Sequence, residues 1–154
     1  MSDLVRGRIY VGVQFALIIA AVIQDTQVDA WGSWHAPVVG LGVVLVVIGF
    51  AIEFASARAL GASLTANPVP KESGTLVRSG IYKYMRHPIY TGLMFFAVGL
   101  VLQKGLVPDA YFALALIVLL NFKARWEERL LLQRYPEYLE YMSSTPRFLP
   151  RLKG

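Results

Sequence analysis

The sequence contains no cysteine, and this absence removes several kinds of chemistry. A chain without thiols has no disulfide framework, no thiolate nucleophile and no thiolate metal site. Histidine is scarce too, because His35 and His87 are the only two, and no His-Glu cluster has metal-binding spacing. A Gly-x-Ser-x-Gly nucleophile motif and a Gly-x-Gly-x-x-Gly dinucleotide motif are also absent. The sequence therefore predicts no metal site, no serine hydrolase and no Rossmann cofactor site.

Charged residues are few, and the apolar content is high. Only 16% of the 154 residues are charged and 56% are hydrophobic, whereas soluble domains are about one quarter charged and half apolar. This balance predicts an integral membrane protein. The length favours a single domain over residues 1–154.

Four apolar segments account for this excess: Ile9–Ile23, Pro37–Ala57, Ile89–Leu102 and Pro108–Phe122. A bilayer core is about 30 Å thick and requires roughly 20 helical residues. The second segment meets that length, the first reaches it with its flanks, and the last two suit a membrane hairpin. The pattern predicts an all-α integral membrane protein with about four transmembrane helices.

The basic residues are distributed unevenly around these segments. If the helices cross in turn, 14 of the 15 Lys and Arg residues fall on one side, and Lys104 alone falls on the other. The positive-inside rule makes the basic side cytoplasmic, together with both termini. We therefore expect an inner-membrane location. The net charge of +5 then reflects cytoplasmic loops and lipid contact, and no nucleic-acid module is present.

Two cytoplasmic regions lie outside the apolar segments. The loop over residues 58–87 is punctuated by proline and glycine and is predicted to be irregular. The region Lys123–Gly154 is predicted to form a C-terminal amphipathic helix, interrupted near Pro136.

The stretch "YKYMRHPIYTG", residues 82–92, concentrates polar groups at the mouth of the third apolar segment. Pro88 suits a first helical turn, so His87 and Arg86 lie beside a helix N-terminus that favours an anionic group. Tyrosines at 82, 84 and 90 supply aromatic faces, and Gly80 and Gly92 allow close backbone approach. Together they predict a pocket for a polar ligand with aromatic and carboxylate parts, although a lone loop histidine is the simpler alternative.

Three carboxylates each have more than one interpretation. Glu127 and Glu128 either pair with neighbouring basic side chains on a solvated helix, or one of them turns toward a ligand. Adjacent helical residues point about 100° apart, so only one of the two is expected to face a site. Glu53, near the cytoplasmic end of the second segment, either reaches the interface, pairs with Arg58 or serves a site.

Two separated motifs resemble the isoprenylcysteine carboxyl methyltransferase family, part of a wider group of membrane methyltransferases that includes phospholipid N-methyltransferases. The first is "SGTLVRSGIYKYMRHPIYTG" and the second is "EERLLLQRYPEYLEYMSSTPRFLP", with an apolar hairpin between them. The residues that match the family pattern are Gly80, Tyr82, Arg86, His87, Pro88, Tyr90, Gly92, Glu127, Glu128, Tyr138 and Tyr141. The resemblance covers about residues 73–152.

The resemblance implies methyl transfer from S-adenosylmethionine to a lipophilic acceptor that enters laterally from the bilayer. It implies that residues 73–152 form the cofactor-binding half, with an irregular cytoplasmic cofactor loop, while residues 1–72 form a helical pair and linker. Implied cofactor-binding residues are Val77, Tyr82, His87, Tyr90, Glu127 and Glu128. Arg86 and Arg147 are the implied catalytic residues, which would bind the acceptor's polar group.

One difference from the family pattern leaves the acceptor open, and two alternative functions remain. Enzymes acting on prenylated proteins often have His where this chain has Gly74, so the acceptor is either an isoprenylcysteine-like carboxylate or another lipid. Membrane sterol reductases that use NADPH share a similar His-Pro-x-Tyr signature, and Lys71, Arg78 and Lys83 could serve a 2′-phosphate. The second rival is a non-enzymatic membrane helper. The oligomeric state is not predicted.

Overall fold

The computed structural model describes residues 2–23, 30–71, 73–105 and 107–150. Within these residues the chain forms five α-helices and no strand: α1 (Asp3–Ile23), α2 (His35–Leu60), α3 (Pro88–Lys104), α4 (Val107–Arg134) and α5 (Tyr138–Ser144). Short 3₁₀ turns lie on either side of α2, at Gly32–Trp34 and Gly61–Ser63, and another precedes α3, at Gly80–Lys83. The predicted all-α fold is confirmed.

The long helices have the length and composition of membrane spans. Among the described residues, α1, α2 with its flanking turns, and α4 are each long and apolar enough to cross a bilayer, while α3 is apolar but shorter. Large apolar side chains cover the outward faces of these helices, as lipid contact requires: Ile9, Val13, Ile19, Val44, Val47, Phe54, Tyr111, Leu114 and Phe122. The chain is therefore an integral membrane protein.

The helices pack in a specific order. α2 lies along α3, α1 packs against α4, and α3 also packs on α4, whereas the consecutive helices α1 and α2 make no comparable contact. Glycines set the close approach of α2 and α3. A Cβ atom on Gly42 would lie 2.7 Å from the carbonyl oxygen of Gly99, and one on Gly49 would lie 2.7 Å from that of Gly92. Side chains at these four positions would force the two helices apart.

The fourth helix is longer than the sequence pattern predicted. The apolar segment ends at Phe122, but α4 continues unbroken to Arg134, so the first part of the predicted C-terminal helix is a continuation of the fourth apolar helix. No glycine or proline interrupts residues 122–134, and most of them are strong helix formers. The break comes at Pro136, near where it was expected, and is followed by the short α5. Lys123 and the two glutamates thus belong to the same helix that crosses the membrane.

Candidate functional site

The start of α3 is joined to the C-terminal segment, which we define as residues 142–148. Pro88 occupies the first turn of α3, as predicted, and His87 is the residue directly before the helix. The backbone N–H of Arg86 donates to the carbonyl of Pro146 at 2.9 Å, and that of His87 donates to the carbonyl of Arg147 at 3.0 Å. The motif before α3 is therefore held by residues about sixty positions later in the chain.

Glu128 fixes this junction. Its carboxylate accepts hydrogen bonds from Arg86 Nη2 at 2.7 Å and from Arg147 Nη2 at 2.6 Å, and His87 Nε2 lies 3.2 Å away. Arg86 also donates to the carbonyl of Met142 at 2.9 Å and to that of Thr145. The hydrogen bond to Glu128 raises the pKa of the Arg147 guanidinium above its ordinary value. Glu128 and its three partners form what we call the Glu128 cluster.

A cavity of about 470 Å³ lies beside this cluster. Its walls come from all five helices and from the loop between α2 and α3. Its volume falls within the range of small-molecule sites. Six of the eight sequence-predicted site residues line it: Val77, Tyr82, Arg86, His87, Tyr90 and Glu127. The other two, Glu128 and Arg147, lie behind the wall in the Glu128 cluster.

The two adjacent glutamates face different surroundings. The hydroxyl of Tyr90 donates to Glu127 Oε2 at 2.6 Å, and His87 Nδ1 lies 3.7 Å from the same oxygen. The rings of His87 and Tyr90 are stacked, with centroids 5.2 Å apart. Glu127 thus forms part of the cavity wall, while Glu128 turns into the cluster. His87 bridges them, since each of its ring nitrogens faces one of the two carboxylates.

Lys123 is a cavity residue that the sequence pattern did not reveal. It is only 2% exposed, and its ammonium donates to Gln14 Oε1 of α1 at 2.7 Å. Its Nζ also lies 5.1 Å from the ring centroid of Tyr90. The sequence pattern places Lys123 among the cytoplasmic basic residues, because it follows the fourth apolar segment. The signal available in the sequence was its position one helical turn before Glu127, which puts both on the same helix face.

Glu53 and Gly92 lie close together, and each has a role that the sequence left open. Glu53 lines the cavity from α2, and no ion pair joins it to Arg58. A Cβ atom on Gly92 would lie 2.6 Å from Glu53 Cγ, in addition to its conflict with α2. Gly92 therefore allows close helix packing, whereas the sequence suggested close approach to a ligand.

Two tyrosines of α5 complete the wall. The hydroxyl of Tyr141 donates to the carbonyl of Tyr82 at 2.6 Å, and burial raises the pKa of Tyr141 to about 12. Tyr138 is 1% exposed, and its hydroxyl has no hydrogen-bond partner among the described residues. Burial raises the pKa of Tyr138 well above its ordinary value, so this hydroxyl keeps its proton and is available as a donor. Buried polar groups are normally paired, so Tyr138 indicates a place for a polar ligand.

The cavity thus combines carboxylates, the ammonium groups of Lys71 and Lys123, and several aromatic rings. In the described ranges, no group of three or more His, Asp or Glu side chains is placed to hold a metal ion. The arrangement suits an organic ligand that carries both charge signs and an aromatic part.

A sequence model of the phospholipid methyltransferase family matches residues 38–138, which extends from α2 to the start of α5. The cobalt-zinc-cadmium resistance protein CzcN of Cupriavidus metallidurans is 32% identical over 122 residues, or 79% of this chain and 53% of that protein. The nickel-cobalt-cadmium resistance protein NccN of Alcaligenes xylosoxydans xylosoxydans is 31% identical over 98% of this chain and 68% of that protein.

Human protein-S-isoprenylcysteine O-methyltransferase is 29% identical over 73% of this chain and 41% of that protein. The chain therefore spans between 41% and 68% of the length of these three relatives. The predicted resemblance to membrane methyltransferases is confirmed, and the family match begins within α2, well before the C-terminal half. Because that match covers more than half of the sequence, the chain belongs to the phospholipid methyltransferase family, a family of membrane methyltransferases.

Proposed function

We propose that the protein binds S-adenosylmethionine in the cavity and directs methyl transfer to a lipophilic acceptor at the cytoplasmic membrane surface. The observation that carries this proposal is the cavity itself, where the carboxylate of Glu127 and the hydroxyl of Tyr138, which has no hydrogen-bond partner among the described residues, converge with stacked aromatic rings. When bound, S-adenosylmethionine supplies a methyl carbon made electrophilic by the adjoining sulfonium.

The residues present fit the chemical groups of this cofactor. Glu127 offers a carboxylate for its ammonium group, and the Tyr138 hydroxyl offers a donor for one of its oxygen or nitrogen atoms. Val77, Tyr82, His87 and Tyr90 line the same space and supply backbone and ring contacts. The ammonium group and the aromatic part of the ligand therefore have counterparts on the wall.

Arg86, Arg147 and Glu128 take a different part in the proposal. Their side chains are engaged with one another, so they position the motif before α3 and do not need to contact the cofactor. Arg86 also lines the cavity, but its guanidinium is engaged by Glu128 and by the carbonyl of Met142, so we assign it a positioning role. Arg147 is a positioning residue, held by Glu128 and by Asn121.

The contribution of the chain to catalysis is alignment and exclusion of water. Displacement at a methyl carbon needs the attacking atom, the carbon and the sulfur in line, and a rigid cavity supplies that order without covalent chemistry of its own. A carboxylate acceptor is already ionised and needs no base. The basic loops support a cytoplasmic location for this end of the bundle.

The test is calorimetric titration of the protein in dodecyl maltoside with S-adenosylhomocysteine. We expect saturable binding that Glu127→Gln weakens by at least about tenfold, because a hydrogen bond to a charged group is lost. Glu140→Gln, which removes a carboxylate from the exposed side of α5, is the matched control and should bind normally.

A parallel titration with NADPH addresses the rivals. Binding of NADPH without S-adenosylhomocysteine would replace the proposal with the membrane reductase. A folded protein that binds neither ligand would favour the non-enzymatic helper.

A further inference from the structure

Lys123 is a buried cation whose direct contacts are all neutral. An ammonium has three N–H donors. Its hydrogen-bond acceptors here are Gln14 Oε1 at 2.7 Å and the carbonyl of Ala66 at 3.4 Å, and the face of Tyr90 supplies a cation–π contact. Gln14 is itself buried, so the pair is shielded from water. Lys123 is therefore held in place, and its charge faces the cavity.

The acidic groups nearby leave this charge without a direct ion pair. Among the described residues, no carboxylate oxygen lies within 4.0 Å of Lys123 Nζ. Glu127 lies one helical turn further along α4, but its Oε2 accepts the Tyr90 hydroxyl. Glu53 lines the cavity from α2, and Glu128 is already engaged by Arg86 and Arg147. A buried ammonium is costly unless an anion accompanies it, so the cavity has room for a ligand anion at Lys123.

The depth of Lys123 matches a lipid headgroup. Its ammonium lies over the ring of Tyr90, which belongs to the first turn of α3. The cytoplasmic end of that short membrane helix marks the level where headgroups meet the hydrocarbon. Water-soluble ligands can reach this level from the loops, but amphiphiles can reach it directly from the bilayer.

An apolar route connects this point to the membrane. α1 and α2 follow one another in the chain but do not pack together, whereas each of them contacts α3. The cavity lining from these three helices includes Gln14 and Glu53 together with five apolar side chains, Phe15, Ile18, Leu60, Ile89 and Leu93. A hydrocarbon chain lying between α1 and α2 would bury its surface against these side chains.

We propose that Lys123, held by Gln14, binds the anionic headgroup of an amphiphilic acceptor whose hydrocarbon chain lies between α1 and α2. The headgroup is a carboxylate or a phosphate. An amine headgroup is disfavoured at this point, because it would place a second cation against Lys123. The role of this amphiphile as a methyl acceptor rests on the proposed methyl transfer, whereas its binding at Lys123 does not.

The experiment measures binding of single-chain amphiphiles without any cofactor, in dodecyl maltoside. The probes share one chain and differ in headgroup: dodecanoate, dodecyl phosphate, dodecanol and dodecyltrimethylammonium. They are titrated into the wild-type protein, Lys123→Met, Lys123→Arg and the control Lys83→Met, which removes an exposed lysine outside the cavity.

We expect the wild type and Lys83→Met to bind one or both anionic probes at least about tenfold more tightly than dodecanol. Lys123→Met should abolish that preference, while Lys123→Arg should retain part of it. Whichever of dodecanoate and dodecyl phosphate binds more tightly identifies the headgroup. Equal binding of charged and neutral probes by the wild type, or an anion preference that survives in Lys123→Met, would overturn the proposal.

S-adenosylhomocysteine binding by the same variants separates the two proposals. Lys123→Met should bind it as the wild type does. If Lys123→Met loses S-adenosylhomocysteine but keeps its preference for anionic amphiphiles, Lys123 serves the cofactor and this inference fails. If the wild type does not bind S-adenosylhomocysteine at all, the methyltransfer proposal fails while the anion preference still decides the role of Lys123.

Discussion

The two ends of this helical bundle are held together by different means. At the end away from the cavity, which we call the far end, the close approach of α2 and α3 depends on the backbone contact of Gly42 with Gly99. At the cavity end, the Glu128 cluster joins α4, the motif before α3 and the C-terminal segment through charged hydrogen bonds. Polar groups are thus concentrated where the cavity lies. Close backbone packing holds the helices together at the far end, whereas charged hydrogen bonds determine the geometry of a site at the cavity end.

The largest expected effect is that of Glu128→Gln, which tests the Glu128 cluster at the cavity end. The neutral side chain leaves the buried charge of Arg86 without its counterion, and breaking one side of a buried ion pair costs about 3–5 kcal/mol. We expect the free energy of unfolding, measured by denaturant titration in micelles, to fall by that amount, with loss of S-adenosylhomocysteine binding. Glu140→Gln should change neither quantity. Unfolding of Glu128→Gln at the wild-type denaturant concentration would contradict a central role for the cluster.

The far end is tested by a pair of glycine substitutions two residues apart on α2. Gly42→Ala places a methyl group 2.7 Å from the carbonyl oxygen of Gly99 and should destabilise the fold by about 1–3 kcal/mol. Gly40→Ala meets no atom within 4 Å and should be neutral or stabilise by up to about 1 kcal/mol, because alanine is the better helix former. Unfolding titrations of the two variants should therefore differ in sign. Both should keep wild-type affinity for S-adenosylhomocysteine, and a selective loss of ligand in Gly42→Ala would show that the two ends are coupled.

The smallest expected effect is that of Tyr141→Phe, which tests one hydrogen bond at the cavity end. Tyr141→Phe removes one hydrogen bond to the carbonyl of Tyr82 and should lower the free energy of unfolding by about 1 kcal/mol. The pKa of Tyr141 is about 12, above its ordinary value of about 10. Stability linked to its proton is fully present below about pH 10 and is lost as the pH rises through about 12. Unfolding titrations over that pH range should show a larger loss for the wild type than for Tyr141→Phe, and parallel losses would contradict this role.

The sequence predicted the helices and the motif residues because these depend on local patterns. Apolar runs locate the spans, and the spacing of His87, Tyr90 and Glu127 is typical of a known family. The contact of Lys123 with Gln14 joins positions 109 residues apart and depends on which faces of α1 and α4 meet. Local patterns carry no information about that choice. The different surroundings of Glu127 and Glu128 could be predicted only in part. Helix geometry separates the directions of the two side chains, but it does not say which partner each one meets.

The dependence of the site on residues 142–148 has a consequence for biosynthesis. Proteins are made from the N-terminus, so α1 to α4 can enter the membrane before the carbonyl groups of Met142 and Pro146 exist to accept hydrogen bonds from Arg86. During that interval the guanidinium of Arg86 lacks several of its final partners, and the start of α3 is not yet held in place. Translation must therefore pass Arg147 before the cavity can take its final form, and an early stop codon would leave an inserted protein in which the start of α3 lacks these hydrogen bonds.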